Sequence, residues 1–280
     1  MQTIEFYQSL WAMELRRPGQ AEPSMEESFA KVAEAGFAGI GLDLAVADMP
    51  IAEAARPLFR TYGLKCLCNG FPRSDDELRF MLAFAKDLGA PHLSVIGQIM
   101  PRDVDGMINV VRRWIDISDD AGLPLLFETH RHGLLNDLYP TLTVLEAVPD
   151  LDLCADLSHF VVDREFALPI TPEADAMIGQ VLDRSWALQG RIASNEQVQV
   201  QIGFAQHRGW VDQFLRWWDL GMRSWRARAS ADAVLTFLCE LGPPPYAITG
   251  PDGLELTDRW GEALEIRDRV AGLWRAGQAG

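Results

Sequence analysis

Positive charge is scarce in this chain, and lysine almost absent. Three of the 25 basic residues are lysines, against 40 acidic residues, for a formal net charge of −15 over 280 residues. Such a surface repels phosphate backbones and anionic membranes, because binding either needs an excess of positive contacts. No nucleic acid and no membrane are therefore expected as partners. A neutral small molecule fits, as does an anion met by a local arginine. Long hydrophobic runs are missing too, with nothing near the roughly 18 apolar residues of a membrane span. The N-terminal MQTIEFYQSLWAMELRR has no basic region ahead of an apolar core, so no signal peptide is expected. Only four cysteines occur, Cys66, Cys68, Cys154 and Cys239, and no second pair at zinc-site spacing complements the CxC at 66–68. They read as small buried hydrophobes. Reduced thiols point to the cytoplasm.

What is present is alternation. Short apolar runs at 3–10, 38–44, 64–69, 92–97, 123–128, 151–157, 185–192 and 234–240 read as eight strands. Between them lie segments of helical periodicity. One of these, 24–36, opens on Ser24 with Glu27 three residues on, a capping-box pattern. Segments at 74–90 and 103–122 end at Gly89 and Gly122, and a closing helix is expected over about 257–273. Helix, glycine, then apolar strand is the signature of a short αβ loop. Alternating βα units imply a parallel sheet with right-handed crossovers. Eight of them imply a closed (β/α)₈ TIM barrel, with residues 1–280 as a single domain. A doubly wound open sheet is the alternative, but WAMELRRPG after the first strand lacks the GxGxxG phosphate turn.

In a barrel the C-terminal strand ends face the active site. Strand five ends in Glu128, with His130 and His132 beyond; strand six in Asp156, with His159 three residues on; strand eight in Glu240, followed by three prolines. Asp156 has a structural capping role as its alternative. Strand seven offers Gln189, Arg191 and Glu196, and Arg191 either binds substrate or pairs with one of the acids. Three carboxylates meeting in one mouth cannot all ionise without a cation. A divalent metal is the economical solution, and oxygen ligands favour Mn²⁺ or Mg²⁺ over Zn²⁺ or Co²⁺.

Trp11, Asp43, Asn69, Gln98 and the irregular stretch 193–209 are expected to shape substrate specificity. His207, within that stretch, has a role at the mouth as its minor alternative. His92 begins strand four at the opposite end and reads as structural. Trp210, Trp217, Trp218 and Trp225 read as core or as a subunit contact, which makes a homodimer an expectation.

The segments AEAGFAGIGLDL, FETHRHG, ADLSHFVVDRE and CELGPPPY, in this order, resemble the sugar phosphate isomerase/epimerase group of xylose-isomerase-like TIM barrels. The resemblance spans nearly the whole chain. It implies one divalent metal held by Glu, Asp, His and Glu from strands five to eight, which here are Glu128, Asp156, Gln189 and Glu240. It further implies that Glu128 and Glu240 act as acid and base on a sugar or sugar-derived polyol through an enediolate. His159, Arg191, His130, Trp11, Asn69 and Gln98 would bind substrate. The chain departs from the family at strand seven, where relatives carry His-Ala-Arg-Val-Gly and this chain has Gln189-Gly190-Arg191-Ile192-Ala193. An amide binds most transition metals more weakly than an imidazole does. The metal is thus loosely held, changed in identity or absent. The alternatives are a lyase or dehydratase on a keto-sugar or inosose with the same first step, and a non-catalytic barrel that has lost its metal. An endonuclease-IV-like enzyme is disfavoured by five histidines and the acidic charge.

Overall fold

The computed structural model describes residues 1–278. Eight parallel strands close into a barrel in chain order: β1 (Thr3–Ser9), β2 (Gly39–Leu44), β3 (Lys65–Gly70), β4 (Leu93–Val95), β5 (Leu125–Glu128), β6 (Leu153–Ala155), β7 (Ser185–Gln189) and β8 (Val234–Cys239). Each falls within a run that the sequence marks as a strand, except that β3 extends one residue beyond its run, to Gly70. The barrel closes where β1 pairs with β8, from Thr3 opposite Val234 to Gln8 opposite Cys239.

Outside the strands lie α1 (Met25–Glu34), α2 (Met49–Tyr62), α3 (Asp75–Asp87), α4 (Val104–Ala121), α5 (Leu138–Ala147), α6 (Leu157–Asp163), α7 (Pro172–Leu182), α8 (Arg208–Arg228) and α9 (Arg259–Ala276). Local chemistry sets their ends. Ser24 and Glu27 form the capping box of α1 as expected. The glycines Gly63 and Gly122 end α2 and α4 with φ of 65° and 64°, a left-handed turn that costs a residue with a Cβ more.

The two-residue period of a strand divides its side chains between two cores. Ile40, Leu42, Cys66, Cys68, Phe127, Leu153 and Phe237 pack outward among the helices. Their alternates form small clusters, Tyr7 with Leu67 and Leu238, and Leu126 with Cys154 and Ala187. These fill the barrel interior. All four cysteines are buried and free. At the bottom of the barrel His92 is buried, with Nε2 2.9 Å from Thr236 Oγ1, in keeping with its structural reading.

Trp210, Trp217, Trp218 and Trp225 of α8 are all buried in this chain's own core. None remains exposed for a second copy, so the argument from these residues to a homodimer loses its basis. No helix among the described residues is long and apolar enough to cross a membrane.

Candidate active site and metal centre

The interior clusters explain where the polar residues stand. Two residues beyond Leu126, Cys154, Ala187, Leu238 and Leu67 come Glu128, Asp156, Gln189, Glu240 and Asn69. The period that turns the apolar residues inward turns these inward too, one step nearer the C-terminal mouth. Glu128, Asp156 and Glu240 meet there: each offers an oxygen, and these atoms lie within 4.8 Å of one another. All three are buried, Asp156 completely.

Arg191 lies in the same cluster, 2% exposed. Its guanidinium is 3.3 Å from Asp156 Oδ2 and 3.2 Å from Glu240 Oε2, and its Nε donates to the Glu240 carbonyl (3.0 Å). Of the two readings left open for Arg191, pairing with the acids is the one observed. Gln189 stands beside Glu128 and donates from Nε2 to Glu128 Oε2 at 2.7 Å, while its own Oε1 is buried without a partner.

Asp156 takes the capping role open to it and also faces the other acids. Its Oδ1 caps α6, accepting from the Ser158 backbone N–H (2.9 Å) and hydroxyl (2.5 Å). Its Oδ2 has no hydrogen-bond donor, and lies 3.4 Å from His159 Nε2. His159 is buried, with Arg191 Nη1 3.3 Å from its Nε2. His130 lies beside it with its ring tilted by 50°, the ring centroids 3.9 Å apart.

Burial pushes the Glu128 carboxyl well above the ordinary range, and the charges of Glu240 and Asp156 add to it. Burial pushes Glu240 up to about 8 against the pull of Arg191. Burial also acts on Asp156, but His159 and Arg191 outweigh it and hold that carboxyl below the usual range. Without a further cation the cluster thus keeps protons on its glutamates. One guanidinium does not neutralise three carboxylates.

A cleft of about 900 Å³ opens among the segments that follow the C-terminal ends of β1 to β5. Trp11, Asp43, Gln98, His130 and His132 line it, whereas Glu128, Asp156, Glu240, Arg191, His159 and Asn69 are not among its lining residues. Gln98 Nε2 donates to the His132 carbonyl (2.8 Å), and Asn69 Nδ2 to Asp43 Oδ1 (3.3 Å). Burial lifts the Asp43 carboxyl to about 6.

The stretch 193–209 adds nothing to the cleft lining. Its Gln199 instead braces the exit of β8, donating to the Gly242 carbonyl (3.0 Å) and accepting from the Gly242 N–H (2.7 Å). Glu196 is exposed. His207, buried within the stretch, has Nδ1 2.7 Å from the Gln201 carbonyl and stacks on Phe204.

Sequence reasoning overlooked Tyr246, whose ring lies 5.0 Å from the Arg191 guanidinium and packs edge-on against Trp11. It also overlooked Ser158, which orients Asp156. Ser158 carries a signal, since a serine two residues after an N-cap aspartate can bond it; Tyr246 carries none.

No protein-family model matches the chain, and no curated protein does. Solved structures do. A D-allulose 3-epimerase from Methylomonas sp. aligns with a TM-score of 0.59, over 99% of this chain and 98% of that one, at 14% identity. A xylose isomerase-like TIM barrel protein from Mycobacterium smegmatis, in complex with magnesium, aligns at 0.62, over 98% and 97%, with 13% identity. This chain has the xylose isomerase-like TIM barrel fold. A probable 3-DHS dehydratase from Bacillus anthracis is a further example of this barrel, at 0.54, over 87% and 95%, with 13% identity. At such identities the likeness is one of fold.

Proposed function

We propose that this xylose isomerase-like barrel is a metal-dependent isomerase or epimerase of a neutral sugar or sugar-derived polyol. The observation that carries the reading is the convergence of Glu128, Asp156 and Glu240 within 4.8 Å at the C-terminal ends of β5, β6 and β8. The donors fit a hard divalent ion, Mg²⁺ or Mn²⁺. They are carboxylate oxygens, and Gln189 Oε1 is buried without a partner, while Asp156 Oδ2 has an ion pair with Arg191 but no hydrogen bond. Glu128, Asp156 and Glu240 would hold the ion, with the Gln189 amide as the weak fourth ligand. When bound, the ion supplies electrophilic polarisation of a carbonyl and the hydroxyl beside it.

The chain's own residues do the proton work. One of Glu128 and Glu240 takes the proton from the carbon next to the carbonyl, and the other returns a proton to the resulting enediolate. Burial holds both carboxyls high in pKa, and a cation beside them would favour the ionised form a base needs. Arg191 holds Asp156 and Glu240 in place and, with His159, presents donors to substrate oxygens. Trp11, Gln98 and His130 form the approach from the cleft, and Asn69 orients Asp43 at its edge. Buried, unpaired thiols suit an enzyme of the cytoplasm. A structural neighbour determined in complex with D-allulose supports a substrate of this class.

A second reading has support from the dehydratase among the neighbours. There the same enediolate expels a β-hydroxyl as water instead of accepting a proton. Both readings are tested by incubating the protein with Mn²⁺ and a panel of ketoses and inososes in deuterated water. Deuterium next to the carbonyl at unchanged skeleton is the isomerase result, and a product lighter by one water is the dehydratase result. Neither, with any substrate of the panel, would contradict the proposal.

A further inference from the structure

The segments that follow β1, β2 and β3 carry apolar side chains to the cleft: Met13 and Met25 after β1, Val46 and Ile51 after β2, and Phe71 after β3. Val46 is 63% exposed and Ile51 50%. A single exposed apolar side chain is ordinary, but two in one concavity, beside further apolar residues, mark a ligand-binding groove. Two residues connect this groove to the acids. His130 lines it and holds a ring nitrogen within 4.8 Å of a Glu128 carboxylate oxygen. Trp11 also lines it, its ring 5.9 Å from the Arg191 guanidinium. The acids themselves are not in the lining, so a sugar reacting at them leaves this space free for another part of the substrate. Its volume of about 900 Å³ lies near the top of the range of about 300–1,000 Å³ typical of drug-sized ligands.

Charge narrows the occupant. Glu14, Glu22, Asp48 and Glu77 line the cleft, against Arg16 and Arg73. Arg16 is held by Glu14, Nε to Oε2 at 2.8 Å, and Arg73 is exposed. A phosphate or other anion would meet net negative charge there, whereas an uncharged apolar group gains by covering Val46 and Ile51. We infer that the sugar acted on carries an uncharged apolar substituent, such as the aromatic aglycone of a glycoside, and that this cleft receives it. Trp11 stands where sugar and substituent meet, an aromatic ring between the polar mouth and the apolar groove. The inference rests on the proposed function for placing the sugar at the acids.

The test uses a keto-sugar whose carbonyl lies off the anomeric carbon, so that a glycoside keeps the reacting carbonyl. It is offered free, as its phenyl glycoside and as its phosphate ester. Calorimetry with Mn²⁺ present measures the binding of each to wild type and to Ile51→Asp, and deuterium exchange is followed with the same compounds. Ile51 lies in the first turn of α2, where an aspartate suits the helix N-terminus, so the variant keeps the fold. The phenyl glycoside should bind wild type more tightly than the free sugar by about tenfold or more, the scale of a filled apolar pocket. The phosphate ester should gain nothing over the free sugar, and Ile51→Asp should shrink the glycoside's advantage. A phenyl glycoside that binds no better than the free sugar, an advantage undiminished in Ile51→Asp, or a phosphate ester bound more tightly than the free sugar overturns the inference. If the free sugar still exchanges in such a case, the proposed function stands. Preferential binding of the glycoside without exchange of any of the three keeps the cleft's assignment and counts against the proposed function.

Discussion

Gln189 donates its side-chain N–H to Glu128 Oε2 at 2.7 Å, with both residues buried. The bond fixes one oxygen of the carboxyl that the account makes an acid or base. By the resemblance drawn from the sequence, Gln189 also stands where an imidazole ligand is expected. Replacing Gln189 by His supplies that imidazole. Affinity for Co²⁺ should rise by about tenfold or more, as a nitrogen donor favours the later metals. Calorimetry with Co²⁺ and Mg²⁺ checks this, and equal affinities in variant and wild type would count against the placement of Gln189.

Glu128→Gln and Glu240→Gln keep shape and hydrogen bonding but remove the titrating group. Each should lower turnover by about 10²–10⁴-fold, the usual contribution of a positioned acid or base. Glu128→Gln and Glu240→Gln should also separate solvent exchange from overall conversion, since one residue removes the proton and the other returns it. Deuterium incorporation measured beside product formation reads this out. A variant with wild-type exchange and wild-type conversion clears that residue of any role.

Arg191 bridges Asp156 and Glu240 through two different nitrogens, at 3.3 and 3.2 Å. Removing it leaves buried carboxylates uncompensated. Arg191→Ala should therefore destabilise the fold by about 3–5 kcal/mol. Arg191→Lys should recover little of this, because a single ammonium cannot reproduce the planar fork. Urea unfolding measures both.

His92 should make the fold sensitive to mild acid. Burial lowers its pKa to about 4, so the folded state resists protonation that the unfolded chain accepts near 6.5. The unfolded state then binds more protons between these values. Stability falls as pH drops from about 6.5 toward 4 and levels off below, by up to roughly 3 kcal/mol from this residue. Unfolding of wild type and His92→Gln across that interval should show a shallower acid slope in the variant. Identical slopes would refute the assignment.

Much of this architecture was legible in the sequence, for a physical reason. The apolar runs recur with glycine-ended helices between them, and a closed parallel barrel buries them all. Glu128, Asp156 and Glu240 stood out because a charged residue ending an apolar strand is costly unless the site uses it. The pairings were not legible. That Arg191 would bridge Asp156 and Glu240, or that Tyr246 would lie against it, depends on contacts across strands and loops that leave no local pattern. The stretch 193–209 reads as a specificity loop because it is long and irregular, and the bonds from its Gln199 to Gly242 leave no local pattern either. The tryptophans of α8 suggested a dimer only because the width of its buried face could not be read from spacing alone.

The most direct test is a titration of chelator-stripped protein with Mn²⁺, followed by electron paramagnetic resonance, in wild type and Glu240→Gln. The account predicts saturable binding of one ion per chain in wild type, with affinity lost in the variant. Wild-type protein that leaves all the Mn²⁺ free in solution would contradict it.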